Sequence, residues 1–222
     1  MIKLISNFIG VQSGKLSKKV SRADNTDFFK RELSDRVGLF LNLGAGRSSF
    51  QKFTKSKEIR CDIQKSTSVM VIADAHHLPF KKASFDTLMM EEVLEHCTNP
   101  VQVIKETSDA LKPLTGKLIL STPFIFPIHD EPFDFFRFTK YGLKSLVEHD
   151  FENPMIKCRH KGLSVFPLLL VRLNKEKGLL KLLSPFFVLI GFLAYFLIMP
   201  ITNKLLRSEL MAGGYMLTAK KK

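Results

Sequence analysis

Three groups of residues in this sequence have the types and the spacing needed to hold a nucleoside. Gly44 and Gly46 follow the apolar run GLFLNL, where glycine permits a sharp turn and a close approach of a ligand to the backbone. Asp62 ends the next apolar run, eighteen positions after Gly44, where a carboxylate can accept hydrogen bonds from both ribose hydroxyls. Asp74 ends a third run, where it can meet an adenine edge. Each feature alone is typical of an ordinary turn, but together they predict a nucleoside site.

A second polar group, HDEPFDFFRFT, follows the fifth apolar run. His129 suits proton transfer near neutral pH, and Arg137 suits a carboxylate or phosphate of a bound acceptor. Asp134 lies three residues before Arg137, so these two either bind an acceptor or pair with each other and brace the loop. His96 is the other candidate proton acceptor, and its alternative role is a polar brace at the start of a helix. The sequence leaves both choices open.

Metal and disulfide chemistry are not expected. The adjacent residues His76 and His77 lack partners at metal-ligand spacing, so no metal site is predicted. Three scattered cysteines form no CxxC pair and leave an odd count, which indicates reduced thiols in a cytoplasmic protein.

Short apolar runs alternate with helical segments over residues 37–160. One helix is predicted to begin with Asn99 as its cap and Pro100 at its first position, and another with Thr139 as its cap. The run SVMVIAD predicts a strand over residues 68–74. Strands that alternate with helices form a parallel sheet covered on both faces, and ligands bind outside the carboxyl ends of its strands. The glycines and aspartates described above all fall at those ends.

Four segments carry a family resemblance. The runs LNLGAG, CDI, ADAHHLPFKKASFDTLMMEEVLEHCTNPVQVIKETSDALKP and GKLILSTPF resemble the class I S-adenosylmethionine-dependent methyltransferases, in their type 11-like group. The resemblance covers about residues 38–160 and the last strand. It implies an α/β fold: a Rossmann-like, doubly wound, mostly parallel seven-stranded sheet with an antiparallel last strand and a hydrophobic helical insertion before it. The later run PFIFPIHDEPFDFFRFTKYGL resembles a subgroup associated with bacterial surface-glycan and cell-envelope biosynthesis.

The resemblance also implies S-adenosylmethionine as the cofactor and a role for each matching position. Asp62 would hold the ribose hydroxyls, and Asn42 stands where the family usually has an acid near the methionine amino group. The remaining positions implied to bind the cofactor are Gly44, Ala45 and Gly46 on the methionine part, Ile63, Asp74 and Ala75 at the adenine, and Glu91 facing the cofactor or substrate.

The leading hypothesis is therefore methyl transfer to a small-molecule acceptor, either lipid-linked or a glycan. The departures at Asn42 and at Ser48, which replaces a common glycine, motivate an alternative: a non-catalytic cofactor-binding or scaffold protein of the same fold at the membrane. A nicotinamide-dependent oxidoreductase is disfavoured, because the third glycine of a dinucleotide site is missing after Gly46.

Composition points to an anionic partner. The chain of 222 residues has a formal net charge of +13, yet 45% of its residues are hydrophobic and its mean hydropathy is +0.05. A chain that is both basic and apolar favours an anionic membrane surface. Nucleic acid is disfavoured, because the basic residues cluster beside apolar stretches and no aromatic platform is interleaved with them.

The predicted organisation has three parts: an N-terminal helical segment (1–36), the methyltransferase domain (37–160 and 212–222), and a hydrophobic helical insertion (161–211). Residues 182–203 contain no charged side chain. A single membrane crossing is excluded if the last strand returns to the same sheet, and basic residues flank the run on both sides. The insertion is therefore expected to dock on the inner face of the membrane, as a hairpin or an in-plane helix. A lid over the acceptor pocket, or a dimer interface, is the alternative.

Overall fold

The computed structural model describes residues 24–162 and 211–222, together with 165–166, 169, 186–187, 189–191, 193–194 and 196–197. The chain divides into two compact units. The larger comprises Asp27–Phe124, Ile128–Lys157 and Tyr215–Lys222, and the other comprises Met1–Thr26, Ile125–Pro127 and Cys158–Gly214. The expectations for residues 1–23 and for most of the insertion lie outside the described residues.

Seven strands form one sheet in the order β3-β2-β1-β4-β5-β7-β6. Strands β1 to β5 pair in parallel. Strand β7 runs antiparallel to β5. The Lys221 amide donates a hydrogen bond to the Gly116 carbonyl, and the Ile125 amide donates one to the Ala212 carbonyl, so the end of β7 lies beside the start of β5. The predicted fold is confirmed. The strands are β1 (Leu39–Leu43), β2 (Lys57–Asp62), β3 (Val71–Ile72), β4 (Thr87–Glu91), β5 (Lys117–Pro123), β6 (Phe151–Lys161) and β7 (Ala212–Lys221).

Three helices lie within the continuous part of the described chain: α1 (24–33), α2 (Pro100–Ala110) and α3 (Lys140–Val147). The predicted caps of the last two are confirmed. The Asn99 side chain accepts a hydrogen bond from the Gln102 amide, and the Thr139 hydroxyl accepts one from the Gly142 amide. These bonds satisfy amides that would otherwise lack partners at a helix start. The third strand is shorter than predicted, since only Val71–Ile72 pair with β2.

An aromatic core anchors the strands whose ends carry the site. Phe29 of α1 is fully buried, and its ring meets Phe50 edge-on, with centroids 5.8 Å apart. Strands β1, β4, β5 and β7 each contribute a side chain to the same cluster. Its buried members are Phe28, Phe29, Leu33, Phe40, Phe50, Met89, Ile119 and Met216. Burial of these apolar side chains against one another stabilises the packing of the four strands, and the close packing fixes the positions of the strand ends.

The described residues between 186 and 197 are all helical, and they present an exposed apolar face. Large apolar side chains three or four positions apart lie on one side of a helix. Gly191, on the other side, is buried. Among the described residues, no helix has both the length and the apolar character that a membrane crossing requires. The exposed side chains, each at least 39% accessible, are Phe186, Leu189, Ile190, Leu193, Phe196 and Leu197.

Two glycines shape the turn that leaves β1, and their surroundings differ. Gly44 has a φ of 71°, and a β-carbon there would lie 2.2 Å from Cγ2 of Val93. Gly46 has a φ of 52°, but a β-carbon there would meet no atom within 4 Å. Gly44 is therefore required by both conformation and space, whereas Gly46 is required by conformation alone.

We expect Gly44→Ala to lower the free energy of unfolding by about 2–4 kcal/mol, because left-handed strain adds to overpacking against Val93. Gly46→Ala, the matched control, should cost only about 1–2 kcal/mol, because strain acts alone there. Urea unfolding followed by circular dichroism gives both values. Equal losses in the two variants would contradict the close approach of Val93.

Candidate cofactor and acceptor site

A cleft of about 1100 Å³ opens at the carboxyl ends of the parallel strands. It lies where the chain order reverses between β1 and β4, the place at which sheets of this type bind ligands. The structure brings most of the predicted cofactor residues together with one candidate proton acceptor, His96. The predicted residues that line the cleft are Gly44, Gly46, Asp62, Ile63, Asp74, Ala75 and His96.

Asp62 organises the loop after β1 as well as facing the cleft. Its Oδ2 accepts a hydrogen bond from the Gly46 amide at 2.8 Å, and its Oδ1 accepts one from the Gln64 amide at 2.8 Å. The amides of Gly44 and Ala45 donate to the Cys61 carbonyl, so the loop is tied to the end of β2. Ala45 itself is buried, and it contributes through its backbone. The Asp62 carboxylate is thereby held in one orientation at the cleft.

Asp74 is connected to the start of α2 through His76. Oδ1 of Asp74 lies 2.6 Å from Nδ1 of His76, and Nε2 of His76 accepts a hydrogen bond from the Asn99 amide at 3.2 Å. The His76 backbone amide also donates to Asp74, and this bond is the main reason that the pKa of Asp74 lies below its usual range. His76 lines the cleft, a position that sequence reasoning missed. The sequence signal that could have identified His76 is the Asp-x-His spacing, because an aspartate side chain can accept a hydrogen bond from the amide two residues further on.

Two further predicted cofactor residues, besides Ala45, do not line the cleft. Asn42 is 2% exposed and does not line the cleft; its Nδ2 donates to Oε1 of the buried Glu58 at 2.9 Å. A carboxylate at position 42 would repel Glu58, so asparagine suits this environment. Glu91 ends β4, and the acid that lines the cleft is its neighbour Glu92, whose φ of 55° turns the chain out of the strand.

The two candidate histidines are neighbours. The loop 129–137 lies against the short 3₁₀ helix Leu94–His96, and together we call these segments the acceptor wall. The amides of Phe135 and Phe136 donate to the Glu95 carbonyl, and Nδ1 of His96 lies 2.6 Å from the Phe133 carbonyl oxygen. The rings of His96 and His129 meet edge-on, with centroids 4.9 Å apart. Residues far apart in sequence thus form one polar group.

Asp134 and Arg137 pair with each other inside the acceptor wall. Two parallel hydrogen bonds of 2.6 Å join the guanidinium to the carboxylate. Oδ2 of Asp134 also accepts a hydrogen bond from the backbone amide of His129, and it lies 3.1 Å from Nδ1 of the His129 ring. Neither Asp134 nor Arg137 lines the cleft, so the geometry corresponds to the bracing alternative and not to acceptor binding.

Burial and the contacts among Asp134, Arg137 and His129 determine the pKa values of Asp134 and His129. Burial tends to raise the pKa of Asp134, but the hydrogen bonds from Arg137 and the His129 amide outweigh it and hold the pKa at about 2. Burial lowers the pKa of His129 below its usual range, and the nearby Asp134 carboxylate only partly opposes this. Asp134 is therefore an anion at neutral pH, and His129 is neutral.

We expect Asp134→Asn to lower the free energy of unfolding at pH 7 by about 2–3 kcal/mol. The folded pKa lies below the ordinary value of about 3.9, so the stabilisation is complete above pH 4 and is lost as pH falls towards 2. Urea unfolding at pH 7 and pH 3 should show the difference from wild type reduced by about half at pH 3.

The control for this experiment is Asp27→Asn, whose carboxylate side chain is 83% exposed. It should change stability by less than about 0.5 kcal/mol at either pH. If Asp134→Asn lowered the free energy of unfolding equally at pH 7 and pH 3, the charge of the carboxylate would not stabilise the fold through its pairing with Arg137.

Comparison with known proteins agrees with this geometry. Residues 42–120 match the family model of a methyltransferase domain. The chain is 33% identical over 96 residues to an uncharacterized protein of Methanocaldococcus jannaschii, a match that covers 41% of this chain and 46% of that protein. Part of the chain is thus similar to a methyltransferase domain, and the chain spans about half the length of the curated relative it matches.

Solved structures with the same fold extend the comparison. A SAM-dependent methyltransferase from Archaeoglobus fulgidus gives a TM-score of 0.60 at 14% identity, covering 92% of this chain and 94% of that one. Phosphoethanolamine N-methyltransferase 2 of Haemonchus contortus, in complex with S-adenosyl-L-methionine, gives 0.57 at 15% identity, covering 90% and 52%. The [4+2]-cyclase SpnF gives 0.57 at 16% identity, covering 90% and 81%. At these identities the likeness shows the class I methyltransferase fold alone.

Proposed function

We propose that this protein is an S-adenosylmethionine-dependent methyltransferase that acts on a small-molecule acceptor, either lipid-linked or a glycan. The observation that carries the proposal is the Asp62 carboxylate, held at the cleft by the amides of Gly46 and Gln64. It lies inside the segment that matches the methyltransferase domain. A strand-end carboxylate beside a glycine turn is the arrangement that recognises a ribose.

The residues of the cleft fit the parts of this cofactor. Asp62 would accept hydrogen bonds from the ribose hydroxyls, and the side chain of Ile63, 65% exposed, offers an apolar surface to the adenine. Gly46 has open space where a β-carbon would be, so the methionine part can approach the backbone. When bound, the cofactor supplies an electrophilic methyl group on a sulfonium. Asp74 and Ala75 are assigned to the adenine edge, and Glu92 takes the role first given to Glu91.

The acceptor is assigned to the part of the cleft beside the acceptor wall. His96 lines the cleft there, and its Nδ1 faces the Phe133 carbonyl, which only accepts hydrogen bonds. The neutral ring therefore has its lone pair on Nε2, where it can accept a proton from an acceptor hydroxyl or ammonium. Phe133 and Phe135 line the same region and are 62% and 43% exposed. Exposed rings beside a polar group suit an acceptor with an apolar part, such as a lipid-linked sugar.

The non-catalytic alternative loses much of its basis. It rested on Asn42 and Ser48, and Asn42 is accounted for by its hydrogen bond to the buried Glu58. The fold does not decide the reaction by itself, since a [4+2]-cyclase shares it. Cofactor binding and methyl transfer therefore need direct measurement.

We expect the full chain to bind S-adenosylmethionine in isothermal titration calorimetry. Asp62→Ala should weaken binding by roughly ten- to a hundredfold, because hydrogen bonds to a charged group contribute about 1.5–3 kcal/mol. Asp27→Ala, on an exposed side chain, should bind as wild type does. Incubation with methyl-labelled cofactor and envelope lipids should then yield a labelled product. If the wild type binds no cofactor, the proposal fails.

We also propose that the exposed apolar face between residues 186 and 197 docks on the anionic inner surface of a membrane. Its six large side chains are exposed in the described part of the chain. In the sequence, basic residues flank this region on both sides: Arg172, Lys175, Lys177 and Lys181 before it, and Lys204 and Arg207 after it. An apolar face with basic flanks complements anionic lipids. Docking would place the protein at the cytoplasmic face of the membrane.

Vesicle co-sedimentation tests the docking. Vesicles with anionic lipid should bind the full chain, and Leu189→Ser with Leu193→Ser should weaken binding at least tenfold by removing buried apolar area. Tyr141→Ser, which removes an exposed ring on α3, is the matched control and should bind normally. If the double variant leaves vesicle binding unchanged but dissolves a dimer in size-exclusion chromatography, the face is a dimer interface and the proposal is wrong.

A further inference from the structure

We propose that Glu95, His96 and His129 of the acceptor wall bind a divalent transition-metal cation. One ligand atom from each of the three side chains lies within 4.8 Å of the other two. Two imidazoles and one carboxylate form a set that binds such cations and leaves positions open for other ligands. The sequence prediction of no metal rested on His76 and His77, and it did not consider residues that only the fold brings together.

The imidazole of His96 is oriented as a metal ligand usually is. Nδ1 of His96 lies 2.6 Å from the Phe133 carbonyl oxygen, and Nδ1 of His129 lies 3.1 Å from Oδ2 of Asp134. The Phe133 carbonyl can only accept a hydrogen bond, so the neutral ring of His96 has its proton on Nδ1 and its lone pair on Nε2. A carbonyl or carboxylate partner on the second nitrogen is the usual outer contact of a metal-bound histidine. The outer contact of His96 is therefore already in place, and His129 lies beside an anionic carboxylate.

The third ligand is a carboxylate in an enclosed position. Glu95 is fully buried, and its Oε1 lies 3.8 Å from Nε2 of His96. Its backbone carbonyl accepts the amides of Phe135 and Phe136, which fixes the 3₁₀ helix against the loop. The Glu95 carboxylate and the His96 ring are therefore close enough to coordinate one cation together.

The ligand atoms decide which cations fit the site. Nitrogen ligands favour Mn²⁺, Co²⁺ or Zn²⁺ over Mg²⁺, which prefers oxygen.

The position of the cluster suggests a use for the cation. His96 lines the cleft, so an open coordination position there could hold an acceptor oxygen and lower its pKa. In that case the two histidines act as ligands, and the acceptor hydroxyl loses its proton because of the cation. This use rests on the proposed methyl transfer, whereas cation binding itself does not.

Titration of the chelator-treated full chain with Co²⁺ tests the site. One Co²⁺ per chain should bind, with a visible d–d absorption band that reports nitrogen coordination. His96→Gln, His129→Gln and Glu95→Gln should each weaken binding at least tenfold, because each removes a direct ligand. The controls are His149→Ala, whose side chain is 90% exposed, and His76→Ala, which removes the Asp74–His76 pair; both should bind as wild type does.

Several results would overturn the proposal. These are no Co²⁺ binding by the wild type, unchanged binding in both histidine-to-glutamine variants, or a loss in His76→Ala equal to that in His129→Gln. Thermal unfolding checks that each variant is folded, and if one is not, the other histidine variant decides. Calorimetry with S-adenosylmethionine on the same samples separates the two claims, since Co²⁺ binding without cofactor binding removes only the methyltransferase assignment.

Discussion

The buried carboxylate of Glu58 is the contact on which the cofactor loop depends. It accepts hydrogen bonds from the Asn42 side chain, the Phe50 amide and the Ser49 hydroxyl, all within 3.0 Å. Two of these donors, on Asn42 and Phe50, are buried, and each would cost about 1–3 kcal/mol if it were left without a partner. Because β1 and the end of its loop are both bound to Glu58, the glycine turn between them has little freedom. The Gly46 amide consequently reaches Asp62, and the cofactor end of the cleft is shaped by a residue that does not line it.

The acceptor end of the cleft is also held in place by hydrogen bonds, but these involve other segments of the chain. Two stretches that are more than thirty residues apart, around His96 and His129, are joined by backbone hydrogen bonds from the loop to the Glu95 carbonyl. The Arg137 guanidinium then fixes Asp134, and Asp134 in turn orients His129. Side chains that are far from the cofactor loop in sequence thereby meet the same cleft. The two ends of the cleft are held by separate buried carboxylates, one on β2 and one in the acceptor wall.

Much of the fold could be predicted from sequence, because strand ends, caps and periodicity are local signals. Asn99, Pro100 and Thr139 begin their helices as expected, and Asp62 and Asp74 lie at the cleft. Other positions depend on tertiary contacts that no local pattern contains. Asn42 points to Glu58 because the two strands pair side by side, and the choice between Glu91 and Glu92 depends on a single backbone angle. His96 and His129 were treated as alternatives because sequence distance conceals that they are adjacent.

The placement of β7 between β5 and β6 affects how the chain folds while it is being synthesised. Strand β6 precedes the insertion, yet its partner is residues 212–221, which the ribosome delivers about fifty residues later. At 5–20 residues per second, β6 waits roughly 2.5–10 seconds with both edges open while an apolar segment emerges. Unpaired edges invite aggregation, and proline and charged side chains discourage it. Pro154 and Lys157 in β6 are therefore suited to protect the nascent chain as well as the finished sheet edge.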